Sequence, residues 1–212
     1  MVDHHRQEAL FTITPVRTPD QVKEAVTLFR AYADSLGFDL GFQNFDAEMA
    51  GMPGKYSPPT GELLLARSND DGQAILGCVG LRPLPSPSPS SSSSSSADAH
   101  ADADANINNA HTHTHTHTHT STSTGAFTTQ ICEMKRLYVT PSGRGMGVGK
   151  ALAAEIIAVA RRLGYSEMRL DTLSSMVAAL AMYRALGFEE IPAYYDTPLE
   201  GTHFLSLALE TT

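Results

Sequence analysis

The sequence predicts one domain of the α/β class (α+β), built from about seven strands and about four helices. Three observations predict it. The 212 residues include 42% hydrophobic side chains, which is enough to bury one core. Short segments that alternate apolar and polar residues recur along the chain, and longer segments with a helical apolar period lie between them. Their order is strand, helix, helix, three strands, helix, strand, helix and two strands.

The first three elements are a strand and two helices. FTITPV (residues 11–16) alternates as a strand does. A helix is predicted after it, because TPDQ (residues 18–21) has the form of a capping box with proline at the first helical position. The apolar residues of this helix fall on one face: Val22, Val26, Phe29, Ala33 and Leu36. A shorter helix is predicted over residues 46–51.

Three strands follow. They are ELLLAR (residues 62–67), AILGCVGLRPL (residues 74–84) and ICEMKRLYV (residues 131–139). The turn NDDG (residues 69–72) joins the first two strands. The segment between the second and third strands therefore replaces a hairpin loop, and the domain consists of residues 11–84 and 127–212.

Residues 85–126 differ sharply from the rest of the chain. These 42 residues are mostly Ser, Pro, Ala, Asp, His and Thr, with one large aliphatic side chain, Ile107. We predict a disordered loop expansion here and a flexible tail over residues 1–10, because neither can bury enough apolar surface to offset ordering. Histidines at alternate positions would bind Ni²⁺ or Zn²⁺ only loosely, so no specific metal site is predicted; they are His111, His113, His115, His117 and His119.

The second half of the chain has clearer periods. An amphipathic helix is predicted from apolar residues at Val148, Leu152, Ile156, Val159 and Leu163. It should end at Gly164, and a second helix in SSMVAALAMYRALG (residues 174–187) should end at Gly187. MRLDTL (residues 168–173) is predicted as the strand between these helices, and residues 188–194 and 203–209 as the closing strands.

Charge and cysteine content exclude several classes of protein. A formal net charge of -8 and a pI near 5.5 argue against a dedicated nucleic-acid binder. Neither a membrane-spanning apolar run nor a secretory signal is apparent, so we expect a cytoplasmic protein. Cys78 and Cys132 are predicted to be buried free thiols. The sequence leaves open whether the protein is a monomer or a homodimer.

The stretch SGRGMGVGKAL (residues 142–152) lies between a predicted strand and a predicted helix. The first turn of a helix presents unpaired N–H groups and the positive end of the helix dipole. Glycines let the backbone approach an anion closely, so this turn is predicted to bind phosphate or pyrophosphate.

Three phosphate-binding patterns compete for this turn. Arg144 and Ala151 break a P-loop at both ends. A dinucleotide fingerprint that starts at Gly145 fails at Lys150, although Asp171 lies about 20 residues downstream as that pattern requires. The third pattern fits, because RGMGVG (residues 144–149) resembles the Q/R-x-x-G-x-G/A signature of the GNAT superfamily of acyl-CoA-dependent N-acetyltransferases.

Two further segments resemble the same family. CEMKRLYVTPSGRG is similar to its fourth strand and pyrophosphate loop, and AMYRALGFEE to its A-x-x-x-Y-x-x-x-G-F segment. The resemblance implies a mixed, mostly antiparallel sheet flanked by helices, with acetyl-CoA as co-substrate and no metal. It places acetyl-CoA on the fourth strand and the glycine turn, at Leu137, Tyr138, Val139, Arg144, Gly145, Met146, Gly147, Val148, Gly149 and Lys150. Met176 departs from the pattern, because the family commonly has asparagine there.

The resemblance also implies direct transfer of acetyl to a primary amine. Deprotonating an alkyl amine at pH 7 costs about 4.6 kcal/mol, so a base is useful. The family often places a glutamate where this chain has Glu133, although an ion pair with Lys135 or Arg136 is the alternative for that residue. Tyr183 matches the family tyrosine and is predicted to protonate the CoA thiolate, plain packing being its alternative.

The acceptor site is predicted to lie in the loops after the first helix and before the last strand. Candidate substrate-binding residues there are Gln43, Asn44, Tyr56, Tyr194, Tyr195 and Asp196. Loop capping or packing explains each of them equally well. We expect the acceptor to be an amine of a small molecule or a peptide. Two other hypotheses stay open at this point: a non-catalytic acyl-CoA sensor, and a nucleotide-dependent oxidoreductase supported by Asp171 alone.

Overall fold

Seven strands and four helices occur in the described chain, in the predicted order. The structure is a computed structural model, and it describes residues 10–84 and 130–210. The predicted disordered segment, residues 85–126, and the predicted tail, apart from residue 10, lie outside these residues. The elements are β1 (Phe11–Pro15), α1 (Pro19–Leu36), α2 (Phe45–Ala50), β2 (Glu62–Ser68), β3 (Ile75–Pro83), β4 (Ile131–Val139), α3 (Val148–Arg162), β5 (Glu167–Leu173), α4 (Val177–Ala185), β6 (Glu189–Glu190) and β7 (Thr202–Ala208).

The strands form one mixed sheet in the order β1-β2-β3-β4-β5-β7-β6. Every neighbouring pair is antiparallel except β4 and β5, which run parallel. Side chains alternate between two cores, as a pleated sheet requires. Leu64 and Ala66 of β2 face the core under α3 and α4, whereas Leu63 and Leu65 face the core under α1 and α2. The predicted fold class is confirmed.

The capping box predicted for α1 is present. The Thr18 hydroxyl accepts a hydrogen bond from the Gln21 amide, and the Gln21 side chain accepts one from the Thr18 amide. Phe29 is fully buried, and the rest of the predicted apolar face packs half-buried on the same core. Ala25 and Leu28 are buried beside it, so the buried face of α1 is wider than predicted.

Both predicted glycine stops end their helices. Gly164 and Gly187 have left-handed φ values of 81° and 92°. After α3, the Tyr165 amide donates to the Ala160 carbonyl, and after α4 the Phe188 amide donates to the Tyr183 carbonyl. These bonds form two Schellman motifs, which satisfy carbonyl groups at the helix ends. The second motif fixes the end of the turn that carries Tyr183.

The prediction of a closing strand over residues 188–194 is wrong in its length. Only Glu189 and Glu190 pair with β7, and the Ile191 amide adds one more bond to Phe204. Pro192 follows, and proline has no N–H to continue the ladder. Tyr194 and Tyr195 instead turn over β7 and pack edge-on against Phe204.

Both cysteines are buried free thiols, as predicted. Burial raises the pKa of each thiol, which keeps both protonated and unreactive at neutral pH. No helix within residues 10–84 and 130–210 is long and apolar enough to span a bilayer.

Candidate active site

The sheet opens between β4 and β5. The two strands pair only from Ile131 to Glu133 on β4, although β4 continues to Val139 and β5 to Leu173. Beyond Glu133 the β5-side edge of β4 pairs with no strand among the described residues. A cavity of about 250 Å³ occupies this opening. Its walls come from α1 and the loop after it, from both strands and from α4, and they include Tyr32, Phe38, Gln43, Leu137, Val139, Asp171, Met176, Met182 and Tyr183.

A bulge in β4 shapes this cavity. Arg136 has a left-handed φ of 58°, and the register with β3 shifts by one residue beside it. Because a one-residue shift exchanges the two faces of a strand, Leu137 and Val139 point to the same core as Met134. Arg136 and Tyr138 consequently face α1 and α2. The Arg136 guanidinium pairs with Glu48 of α2 at 2.8 Å and lies over the Phe45 ring.

The glycine turn presents a row of unpaired N–H groups beside the cavity. Gly145 and Gly147 have φ values of 79° and 81°, which favour glycine. Gly149, in the first turn of α3, packs against Val139 and lines the cavity. Five amides of this turn donate to no described residue, namely those of Gly145, Gly147, Val148, Gly149 and Lys150. They lie at the N-terminal end of α3, where the helix dipole is positive, so the turn is suited to binding an anion.

Gly143 fixes where this turn begins. A Cβ atom at Gly143 would lie 2.6 Å from the Leu76 carbonyl oxygen, so only glycine fits between β3 and the turn. The amide of Thr140 donates to the same carbonyl at 2.9 Å. Gly143 belongs to the glycine-rich stretch of residues 142–152, but the resemblance to the family gave it no role.

Tyr183 lies on the α4 wall of the cavity. Its ring packs edge-on against Phe188 at 5.6 Å, and its hydroxyl makes no hydrogen bond among the described residues. Burial raises the pKa of Tyr183, with smaller contributions from Tyr32 and Asp171, so the phenol stays protonated through the neutral range. Packing and a free hydroxyl that faces the cavity are therefore combined in one residue.

Met176, the departure from the family pattern, also lines the cavity. It is the N-cap residue of α4, and its sulfur accepts a hydrogen bond from the Thr172 hydroxyl at 3.5 Å. A thioether donates no hydrogen bond, so this position offers an apolar wall where an asparagine would offer a donor and an acceptor.

Glu133 is buried beneath the cavity and is almost fully engaged. Its side chain is 1% exposed and accepts hydrogen bonds from Arg82 Nε at 2.8 Å and from the Tyr194 hydroxyl at 2.7 Å. Lys135 Nζ lies 3.5 Å from the same carboxylate. Burial and the charge of Glu133 raise the pKa of Tyr194. The predicted base therefore has the ion-paired surroundings that were its alternative, and it does not line the cavity.

Asp171 is the carboxylate that lines the cavity. Lys135 Nζ donates to its Oδ1 at 2.5 Å, and its side chain is 18% exposed. Burial and then the charge of Asp171 raise the pKa of Tyr32, on the opposite wall, to about 12. Lys135 thus bridges Asp171 to Glu133, and the bridge reaches Arg82 through Glu133.

The predicted acceptor residues separate into two groups. Gln43 lines the cavity between β4 and β5, and with Asn44 and Tyr56 it also lines a second cavity beside α2. The hydroxyl of Tyr195 accepts a bond from Gln43 Nε2 at 3.4 Å. Asp196 is exposed and makes no contact of this kind with another described residue, so it lies apart from the others.

Sequence reasoning missed Arg82, considered Lys135 only as an ion-pair partner of Glu133, and considered Asp171 only for a dinucleotide. A signal for all three is visible in hindsight. Each is a charged residue within a predicted strand, and a charge that is buried in a sheet needs a partner. Pairing across strands is not encoded in the period of a single strand, so the network could not be assembled from the pattern.

In the part of the chain that the structure describes, no group of three or more His, Cys, Asp and Glu side chains could hold a metal ion.

Known proteins resemble the chain in sequence and in fold. The sequence pattern of the acetyltransferase (GNAT) family matches residues 28–188. An uncharacterised N-acetyltransferase of Dictyostelium discoideum is 47% identical over 214 residues, which cover 92% of this chain and 98% of that protein. An uncharacterised N-acetyltransferase of Schizosaccharomyces pombe is 31% identical over 198 residues, which cover 93% of this chain and 94% of that protein.

A solved structure shows the same fold at low sequence identity. NAA60 of Arabidopsis thaliana, solved in complex with acetyl-CoA, superposes with a TM-score of 0.57 at 13% identity over 94% of this chain and 98% of that one. The family match and the two full-length relatives agree with the glycine turn and the opened sheet. The chain therefore belongs to the acetyltransferase (GNAT) family and is an N-acetyltransferase.

Proposed function

We propose that the protein transfers an acetyl group from acetyl-CoA to a primary amine of a small molecule or a peptide by direct attack. The observation that carries this proposal is the row of five unpaired amides at the start of α3, next to the cavity where β4 and β5 part. Relatives with acetyl-CoA bound share the fold. Acetyl-CoA would supply the activated acetyl group. The cytoplasmic location expected from the sequence remains a prediction.

The glycine turn would hold the pyrophosphate of acetyl-CoA. Its free N–H groups and the α3 dipole favour an anion, and Gly145 and Gly147 leave space because nothing lies within 4 Å of a Cβ placed on either. The unpaired edge of β4 at Leu137, Tyr138 and Val139 would bind the pantetheine amides. A β4 N–H directed at the thioester oxygen would stabilise the developing oxyanion.

The amine proton would pass to the buried charge network. Asp171 lines the cavity and would touch the acceptor, whereas Glu133 is joined to Asp171 through Lys135. In this arrangement Glu133 is a positioning residue, and the prediction that it is itself the base is tested separately. On the other wall, the free hydroxyl of Tyr183 would donate its proton to the departing thiolate.

The test of acetyl-CoA binding uses two matched glycines. Gly147→Trp should fill the anion site and weaken acetyl-CoA binding at least about 100-fold in calorimetry, because an indole replaces the space that the phosphates need. Gly164→Trp is the control, since Gly164 has the same φ of 81° and equally open surroundings at the far end of α3. Backbone strain should destabilise both variants alike, by about 1–2 kcal/mol in thermal unfolding.

Transfer itself is tested by thiol release from acetyl-CoA with pools of amino acids, polyamines, aminoglycosides and lysine peptides. Release that depends on one pool identifies the acceptor class. If Gly147→Trp binds acetyl-CoA as tightly as the unmodified protein, the glycine turn is not the cofactor site and the proposal fails.

A further inference from the structure

A second cavity lies beside the first, on the α2 side of the sheet. It measures about 340 Å³ and is bordered by α2, by the turn that follows it and by β3. Its wall includes the polar side chains of Gln43, Glu48, Lys55, Tyr56 and Arg82. Gln43 borders both cavities.

The Arg82 guanidinium is only half used by the protein. Its Nε donates to Glu133, but neither terminal nitrogen makes a hydrogen bond with a described residue. The side chain is 25% exposed, and its terminal nitrogens, which have no hydrogen-bond partner among the described residues, are not buried. They therefore reach the cavity space, where they offer a planar pair of donors that matches a carboxylate.

Of the two cations in the wall of the second cavity, one has no ion pair with a described residue. Glu48, its one acidic wall residue, already binds Arg136 at 2.8 Å and the Tyr56 hydroxyl at 2.7 Å. Lys55 is exposed and makes no ion pair with another described residue. Lys55 thus adds an unpaired positive charge to a wall that also holds the free donors of Arg82, whose own charge is paired with Glu133.

A lone polar atom marks the passage between the cavities. Gln43 Oε1 is buried and has no hydrogen-bond partner in the described chain, while Nε2 of the same side chain donates to Tyr195. An unpaired buried acceptor is costly, so this oxygen is suited to an N–H group of a bound molecule.

We infer that the acceptor amine also carries a carboxylate, which Arg82 and Lys55 bind in the second cavity while the amino group lies at Asp171 in the first. The inference rests on the proposed function. Three contacts connect the two ends: Arg82 to Glu133, Glu133 to Lys135 and Lys135 to Asp171. An N–H group of a molecule that reaches both cavities would meet Gln43 Oε1.

The experiment compares acceptors that differ only in the carboxylate. Thiol release from acetyl-CoA is measured with the standard amino acids, with their α-carboxamides and with the amines that lack the carboxyl group. We expect kcat/KM for at least one amino acid to exceed that for its amide and its decarboxylated amine at least about tenfold, as is typical for a buried site whose donors are left unpaired by the wrong ligand.

Two variants locate the carboxylate site. Arg82→Lys keeps a positive charge for Glu133 and removes the planar donor pair, and Lys55→Gln removes the second charge. We expect Arg82→Lys to reduce the acid-to-amide preference about tenfold, chiefly through KM, and Lys55→Gln to reduce it less. Lys23→Gln, on the exposed side of α1, is the control and should leave the preference unchanged. A purely structural Arg82 would instead lower kcat for both acceptors equally.

The outcomes separate this inference from the proposed function. Equal or faster turnover of the amides and amines overturns the carboxylate site and leaves the acetyltransferase proposal intact. So does an unchanged preference in Arg82→Lys. Acetyl-CoA binding without release from any amino acid also overturns the inference, whereas a protein that fails to bind acetyl-CoA contradicts the proposed function itself.

Discussion

The two faces of β4 are built from different materials. Toward α3 and α4 the strand presents apolar side chains, and the adjoining turn presents backbone N–H groups. Toward α1 and α2 it presents Glu133, Lys135 and Arg136, which pair with residues from β3, β5 and α2. The first face suits the proposed binding of acetyl-CoA, because backbone N–H groups at a helix start can hold an anion whatever side chains surround them. The second face depends on individual side chains, so we expect it to determine which acceptor is bound.

The charged face should be the more fragile of the two, and Glu48→Gln tests this. Glu48 is 11% exposed and neutralises the buried Arg136. Burial alone would raise the pKa of Glu48, but its bonds to Arg136 and Tyr56 outweigh burial and lower it. Removing one partner of a buried ion pair typically costs about 3–5 kcal/mol, so we expect a loss of that size in urea unfolding at pH 7.

The same residue gives a pH signature. Because the pKa of Glu48 is lower in the folded state, its contribution is present above the ordinary value of 4.5 and is lost as the pH falls below it. Unfolding free energy should therefore fall less steeply below that pH in Glu48→Gln than in the unmodified protein. Glu155→Gln breaks an exposed pair on α3 and should cost less than about 1 kcal/mol at pH 7. Equal losses in the two variants would remove the contrast between the faces.

Two carboxylates of the charged network differ in their access to the cavity, because Asp171 lines it and Glu133 does not. Asp171→Asn should lower kcat about 10²–10³-fold, because the group that takes the amine proton is lost. Glu133→Gln should lower kcat only about tenfold, through Lys135, if Glu133 positions rather than accepts the proton. Steady-state kinetics across pH 6 to 9 measures both. The reverse ranking would establish Glu133 as the base, as the sequence resemblance predicts.

Local sequence patterns were sufficient to predict the elements around the α3 and α4 face of β4, but they were insufficient to predict the charged contacts on its α1 and α2 face. The order of the elements, the Thr18 capping box and the stops at Gly164 and Gly187 follow from local patterns, because each depends on residues within one turn. The glycine turn was predictable for the same reason. The truncated strand before Pro192 shows the limit, since an apolar alternation predicted pairing that proline could not continue.

The acceptor face depends on contacts between distant residues. Arg82 and Glu133 are 51 positions apart in sequence, and Arg136 and Glu48 are 88 apart. The bulge at Arg136 exchanges the two sides of β4 halfway along, so strict alternation from Glu133 assigns the later residues to the wrong face. A period of two has no means of marking that exchange.

A smaller effect than that of Asp171→Asn is expected from Tyr183→Phe, on the α4 wall of the cavity. The phenol lies at the cavity without a hydrogen bond to another described residue, so removing its oxygen leaves no partner unpaired. We expect kcat to fall about 10–100-fold, because the thiolate loses its proton donor, while acetyl-CoA affinity stays the same. Tyr165→Phe, which removes a hydroxyl bonded to the Thr60 carbonyl outside the cavity, is the control.

An acetyl-thioester analogue with a more acidic thiol as leaving group should recover most of the rate that Tyr183→Phe loses, since such a thiolate leaves without needing a proton donor. A loss of acetyl-CoA affinity without loss of kcat would instead make Tyr183 a packing residue of the cofactor wall.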